Sequence, residues 1–249
     1  MRKKKWGQNF LVDKNLLKKI ISIINPQKDE KIVEIGPGEG ALTELVLPCI
    51  NKMAAVEIDS SLVKILQSRR HLKTCHFINE DVLSLDLSSL PFPPPVRIIG
   101  NIPYNITSKI LFWLIKQRNY WSDAYLMVQK EVAVRMTGEI CTKNYSRLTV
   151  MINAFVDVKI CLNVSPDVFV PKPKIFSAIV RLTKKQKPLI NDNQFVLLER
   201  VVRTAFSQRR KMLRNTLKGF NFDPRTVKEI DFGRRPETLT VQEFVKLIE

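Results

Sequence analysis

Apolar positions along the chain switch between two periods. Leu16, Leu17, Ile20, Ile21 and Ile24 fall at helical spacing, behind Asp13, which can cap a helix, and ahead of Pro26, which ends it. The apolar run KIVEI at 31–35 then reads as a buried strand leading into the glycine loop GPGEG, with a helix from Ala41 towards Pro48. The alternation repeats as strand MAAVEI, a helix from Ser60 to about Arg70, strand CHFIN, the connector PFPPP, strand VRIIG and a helix beginning near Thr107. DAYLMVQ is the next strand, and the helix after Gln129 carries Glu131 and Arg135 one turn apart. Strand-like runs return at 154–163 and at SAIVRL, separated by the rigid loop VSPDVFVPKPK. Strands alternating with helices imply an α/β fold with a parallel sheet covered on both faces.

The pattern changes after Leu182. KKQKPLINDN reads as a linker, and the residues from Phe195 onward read as several short helices. The expected organisation is therefore an α/β domain over 1–185 and a small all-α domain over 186–249.

Composition narrows the partners. The 249 residues are 45% hydrophobic, enough for a real core, and carry a formal net charge of +17. Such an excess on a chain of this kind points to a polyanion, nucleic acid above all. Cys49, Cys75, Cys141 and Cys161 form no CxxC pair, and only Cys75 has histidines nearby, so neither a zinc site nor a disulfide framework is expected. Scattered thiols fit a reducing, cytoplasmic setting. No apolar run has the length of a membrane span, and no signal-peptide core follows the basic start MRKKKWGQNF.

Two loops carry the candidate chemistry. In VEIGPGEG, Gly36, Gly38 and Gly40 follow a strand directly, where glycine lets the backbone turn tightly and approach a ligand. The spacing G-x-G-x-G is not the dinucleotide G-x-G-x-x-G, so alone it is weak. Glu57 ends the second strand of the alternation, where a carboxylate can hold a ribose diol, and Asp81 follows the third, within reach of an adenine amino group. Three strand-end loops would then converge on one adenosine-type ligand, a nicotinamide dinucleotide or S-adenosylmethionine. The shorter glycine spacing favours S-adenosylmethionine.

The second loop is GNIPYN at 100–105. Asn101 offers a carboxamide oxygen, and the carbonyl of Pro103 a second acceptor on a stiffened backbone. Two acceptors on one exocyclic NH2 group would turn its lone pair towards an electrophile. Tyr104 supplies a face for base stacking. The loop reads as a pocket for an adenine or cytosine amino group (or a glutamine amide) awaiting methylation. Orientation carries most of such a reaction, and no metal or strong base is required.

Nine ordered segments now resemble one family. They are GQNFL at 7–11, EIGPGEGALTE at 34–44, VEID at 56–59, EDV at 80–82, GNIPYNITS at 100–108, QKEVAVRM at 129–136, YSRLTV at 145–150, VFVPKPKIFSAIVRL at 168–182 and AFSQRRKMLRNTLK at 205–218. Together they resemble the bacterial small-subunit (16S) ribosomal RNA adenine dimethyltransferases over nearly the whole chain. The resemblance implies a class I (Rossmann-like) methyltransferase sheet with a C-terminal helical domain. It implies dimethylation at N6 of two adjacent adenosines near the 3′ end of 16S rRNA, on the immature 30S subunit and late in its assembly, by a monomer using S-adenosylmethionine and no metal. Asn9 and Leu11 would close over the cofactor, Gly36 approach its methionine part, Glu57 hold the ribose and Asp81 the adenine. Asn101 would sit at the transfer centre, and Phe169 would face Tyr104 across the flipped base. Trp6, Ile102 and Val-Ser-Pro at 164–166 depart slightly from the family pattern.

Phosphate contacts would come from Arg2, Lys3, Lys4 and Lys5 and from Arg209, Arg210, Lys211 and Arg214. Three other readings compete. A resistance-type methyltransferase of large-subunit rRNA shares both loops, although FSQRRK and FVPKPK favour the small-subunit enzyme. A non-catalytic assembly factor would not need intact Glu57, Asp81, Asn101 and Tyr104. A nicotinamide oxidoreductase lacks the glycine spacing.

Overall fold

The computed structural model describes residues 9–249. The chain forms two compact units, one of residues up to Ala133 plus Lys159–Thr183, the other of Val134–Val158 plus Lys184–Glu249. The chain passes between the units three times, last between Thr183 and Lys184, and 134–158 group with the C-terminal residues. The helix Arg147–Asn153 packs there against the helices Asp192–Ser207 and Val241–Lys246.

The first unit begins with β1 (Phe10–Leu11) and α1 (Lys14–Ile24). Asp13 caps α1, its carboxylate accepting from Leu16 N at 2.7 Å, and Asn25 ends it in the left-handed region at φ 47°. Leu17, Ile20 and Ile24 are the buried stripe that the spacing predicts. Then follow β2 (Lys31–Ile35), α2 (Thr43–Val46), β3 (Lys52–Glu57), α3 (Ser60–Ser68), β4 (Cys75–Asn79), β5 (Val96–Asn101), α4 (Thr107–Lys116), β6 (Trp121–Gln129) and α5 (Lys130–Met136). Beyond α6 (Arg147–Asn153) lie β7 (Val156–Val164), β8 (Phe169–Val170) and β9 (Ser177–Lys184).

The main sheet has the order β4-β3-β2-β5-β6-β9-β7. Strands β2 to β6 pair in parallel, as expected, but β9 runs antiparallel to β6, with Gln129 opposite Ser177. The sheet is mixed because β9 is reached through the loop around β8 and not through a crossover helix. The strand β8 instead pairs with β1 in a separate antiparallel ribbon, Leu11 opposite Phe169. In the parallel part, the chain builds outward from β2 in both directions, through β3 and β4 on one side and β5 and β6 on the other. The crevice between the carboxyl ends of β2 and β5 is the position where open α/β sheets bind ligands.

At the opposite end of these strands, Arg97 closes a charged cluster. Its guanidinium donates to Asp123 at 2.8 Å, to Glu30 at 2.7 Å and to the carbonyl of Ile24 at 2.9 Å, tying α1 to β5 and β6.

In the second unit, α7 (Asp192–Ser207) is a full 16 residues, opened by a capping box of Asn191 and Gln194, and not one of several short helices. The shorter α8 (Leu213–Thr216), α9 (Pro224–Glu229) and α10 (Val241–Lys246) follow. Aromatic rings fill the space between elements: Phe206 lies 5.7 Å from Phe244 and 6.1 Å from Tyr145, centroid to centroid.

Candidate active site

The strand registers place the site. Ile35 lies beside Val56 on one side and Gly100 on the other, and Glu57 beside Asn79, so four carboxyl ends emerge together. Gly36, Gly38 and Gly40 all have positive φ, at 66°, 58° and 86°. At Gly38 glycine is also needed for space, since a Cβ there would sit 3.0 Å from the ring of Phe10. The strand β1 thus lies against the glycine loop.

A single pocket is lined by Asn9, Leu11, Gly36, Asn101, Pro103 and Tyr104, together with Phe10, Glu34, Tyr125 and Met127. The residues expected from both loops and from the N-terminal segment therefore meet. Glu57 and Asp81 are outside the lining, and Glu57 adjoins it through Gly38. Both Glu57 oxygens accept backbone N–H groups, from Gly38 at 3.2 Å and Asp59 at 3.0 Å. Burial pushes its carboxyl above the usual range, and those two hydrogen bonds oppose the shift. Asp81 accepts from Leu83 N at 3.0 Å in the turn after β4.

Glu34 has no assigned role in the sequence, where it is one letter of an apolar strand. It is 2% exposed, lines the pocket and accepts from Thr43 Oγ1 at 2.6 Å. Burial pushes its pKa up to about 7, against the Thr43 hydrogen bond and with some help from Glu57. A charged letter inside the run KIVEI was the available signal.

The NIPY loop is held from two sides. Asn101 Nδ2 donates to the carbonyl of Asn9 at 2.8 Å. A carbonyl can only accept, so this contact fixes which end of the carboxamide is NH2. Tyr104 Oη lies 2.5 Å from Ser177 Oγ, on a serine with 0% exposure, and burial raises the phenol's pKa against that bond. The carbonyl of Pro103 does not stand open as the sequence suggests. It accepts from Ile106 N at 3.2 Å and Thr107 Oγ1 at 3.4 Å, because Tyr104–Ile106 turn directly into α4.

Phe169 is also placed differently from expectation. It is 2% exposed, in the core with Leu11, Leu17, Ile20 and Met127, because β8 pairs with β1 over α1. Of the basic residues, Arg2, Lys3, Lys4 and Lys5 lie outside the described residues. Arg210, Lys211 and Arg214 are exposed, whereas Arg209 is bound internally. It donates to the carbonyls of Lys143 and Thr142, each at 2.6 Å, and to Glu237. Among the described residues no cluster of His, Cys, Asp or Glu is arranged to hold a metal, and no helix is long and apolar enough to cross a membrane.

Known proteins share both the sequence and the fold. The family model "Ribosomal RNA adenine dimethylase" matches residues 1–248. A Ribosomal RNA small subunit methyltransferase A from Coxiella burnetii is 41% identical over 247 residues, covering 98% of this chain and 96% of the relative. Among solved structures, a dimethyladenosine transferase from Plasmodium falciparum aligns with a TM-score of 0.81 at 28% identity, covering 96% of this chain and 95% of that one. The 23S rRNA methyltransferase ErmE aligns at 0.73 and 27%, covering 96% and 98%. With a match that spans both units and every motif around the pocket, the chain belongs to the ribosomal RNA adenine dimethylase family.

Proposed function

We propose that the protein transfers methyl groups from S-adenosylmethionine to N6 of two adjacent adenosines near the 3′ end of 16S rRNA, in the immature 30S subunit in the cytoplasm. The observation that carries this reading is the fixed carboxamide of Asn101 beside Tyr104 at the rim of a glycine-lined pocket. Family and fold call for a methyl donor. The pocket residues fit an adenosine-type one. The Gly36–Gly38 turn leaves space that side chains would fill, and Glu57 keeps acceptor capacity beyond its two backbone bonds for a ribose diol. Asp81, one strand further, would meet the adenine amino group, and Asn9 and Leu11 would cover the ligand.

S-adenosylmethionine supplies a methyl group on a sulfonium, already a strong electrophile. The protein's part is to hold the base amino group in line with it. The flipped adenine would stack on Tyr104, whose ring Ser177 steadies. One N6 proton would go to Asn101 Oδ1. The second acceptor would be a main-chain carbonyl of the Asn101–Pro103 turn, whose residues line the pocket. The nitrogen lone pair then faces the methyl group, and the proton lost after attack passes to solvent. Exposed Arg210, Lys211 and Arg214, with Lys3, Lys4 and Lys5, would contact RNA phosphates.

The test is methyl transfer from labelled S-adenosylmethionine to immature small subunits, comparing wild type with Asn101→Ala. N6,N6-dimethyladenosine from wild type and a loss of about a hundredfold or more in the variant are expected. Label in large-subunit rRNA would instead favour the specificity of the ErmE-like neighbour. Subunit binding without transfer would favour a non-catalytic assembly role.

A further inference from the structure

The loop from β8 to β9 leaves a large aromatic ring in water. Phe176 is 55% exposed, and its loop neighbours Val170 and Ile175 are exposed as well. The backbone beneath the ring is nonetheless fixed. Lys130 N donates to the carbonyl of Phe176 at 2.9 Å, extending the β6–β9 ladder by one step. The next residue is Ser177, the partner of Tyr104. Side chains alternate along extended backbone, so the ring of Phe176 is directed away from the Ser177–Tyr104 contact. It cannot share the base that lies on Tyr104, yet it stands one residue from the group that positions Tyr104.

The surroundings are basic. Lys130 Nζ lies 5.9 Å from the centre of the ring, and Lys172 and Lys174 are exposed on the same loop. Lys172 is paired with Asp167 at 2.5 Å, which leaves Lys130 and Lys174 as the lysines offered to a partner. Exposed aromatic faces beside lysines are how proteins hold unpaired nucleic acid, the ring taking a base and the cations the phosphates. Isolated from such a partner, a ring this exposed forgoes the stabilisation of burial.

We infer that Phe176 is a stacking platform for the unpaired RNA base next to the one in the Asn101–Tyr104 pocket, with Lys130 and Lys174 binding the adjoining phosphates. The inference rests on the RNA substrate of the proposed function. It also meets a demand of that chemistry: with two neighbouring adenosines to modify, the one outside the pocket must be kept out of its own stack.

The test uses a fluorescein-labelled RNA hairpin whose loop holds two adjacent adenosines, with dissociation constants from anisotropy at fixed salt. Phe176→Ala should weaken binding about 5- to 150-fold, the range for one stacked base. Phe176→Trp should restore it, and Phe176→Leu should not. On the same hairpin with an abasic flanking nucleotide, wild type and Phe176→Ala should bind alike. Equal binding of wild type and Phe176→Ala to the intact hairpin would overturn the inference, as would an undiminished Phe176→Ala loss on the abasic one. Calorimetry with S-adenosylmethionine should give wild-type affinity for Phe176→Ala, separating a lost platform from a disrupted pocket. Failure of wild type to bind the hairpin at all would overturn the proposed function too, whereas indifference to Phe176 alone would leave that function standing.

Discussion

Replacing Glu34 by glutamine should stabilise the protein, and by an amount that depends on pH. The carboxyl is fully enclosed, and its pKa stands at about 7 against an ordinary 4.5. A raised carboxyl pKa means that the folded protein binds the proton more tightly than the unfolded chain. This group therefore favours folding fully below pH 4.5 and loses that contribution as pH rises through 7. At roughly 1.4 kcal/mol per pH unit, the gap makes the ionised group cost about 3 kcal/mol at pH 8 and about 1 kcal/mol at pH 5.5. Glutamine has the same length and can still accept from Thr43 Oγ1, so it removes the titration while keeping the contact. Any fixed cost of the amide is the same at both pH values. Urea unfolding of wild type and Glu34→Gln at pH 5.5 and pH 8 should show the variant gaining about 2 kcal/mol more at the higher pH. A difference between the proteins that does not change with pH would refute the reasoning, as would a change of opposite sign.

Four further outcomes follow from the packing and the surface. Gly100→Ala puts a Cβ 2.6 Å from the carbonyl oxygen of Ile35, at the carboxyl end of the β2–β5 pair, and should cost about 3 kcal/mol or more, read as a fall in the urea midpoint. Asp13→Ala removes the cap of α1 and should cost about 1 kcal/mol in the same assay. Arg209→Ala should destabilise by about 2 kcal/mol, through the lost bonds to Lys143, Thr142 and Glu237. Arg210→Ala should leave stability unchanged and lower the salt slope of RNA binding by somewhat under one unit.

The parallel strands were legible because each is a short apolar run bounded by a turn, and α1 because Asp13 and Pro26 mark its ends. Strand direction was not, since the pattern SAIVRL is the same read in either sense. Only the absence of a crossover helix before it decides that β9 is antiparallel. Residues 134–158 carry no local sign of which unit they join, because the contacts of α6 with α7 lie far along the chain. The same limit governs the site. Asn101 and Tyr104 were found because an unusual cluster follows a strand. Phe169 and Phe176 occupy one proline-rich loop, and the pairing of β8 with β1, invisible in the letters, sends the first into the core and leaves the second in water. Arg209 and Arg210 look alike in FSQRRK until the carbonyls that claim one of them come into view.

The contact between Asn101 and the carbonyl of Asn9 has a consequence for the choice of base. A carboxamide is nearly symmetric in shape, and by turning over it could welcome a keto oxygen as readily as an amino group. Here the N-terminal segment holds it in one sense, so the pocket presents an oxygen. A deaminated base, inosine in place of adenosine, would meet it oxygen to oxygen. Under the proposed function, rejection of such look-alikes would be written not in Asn101 itself but in the main chain of a segment 92 positions away.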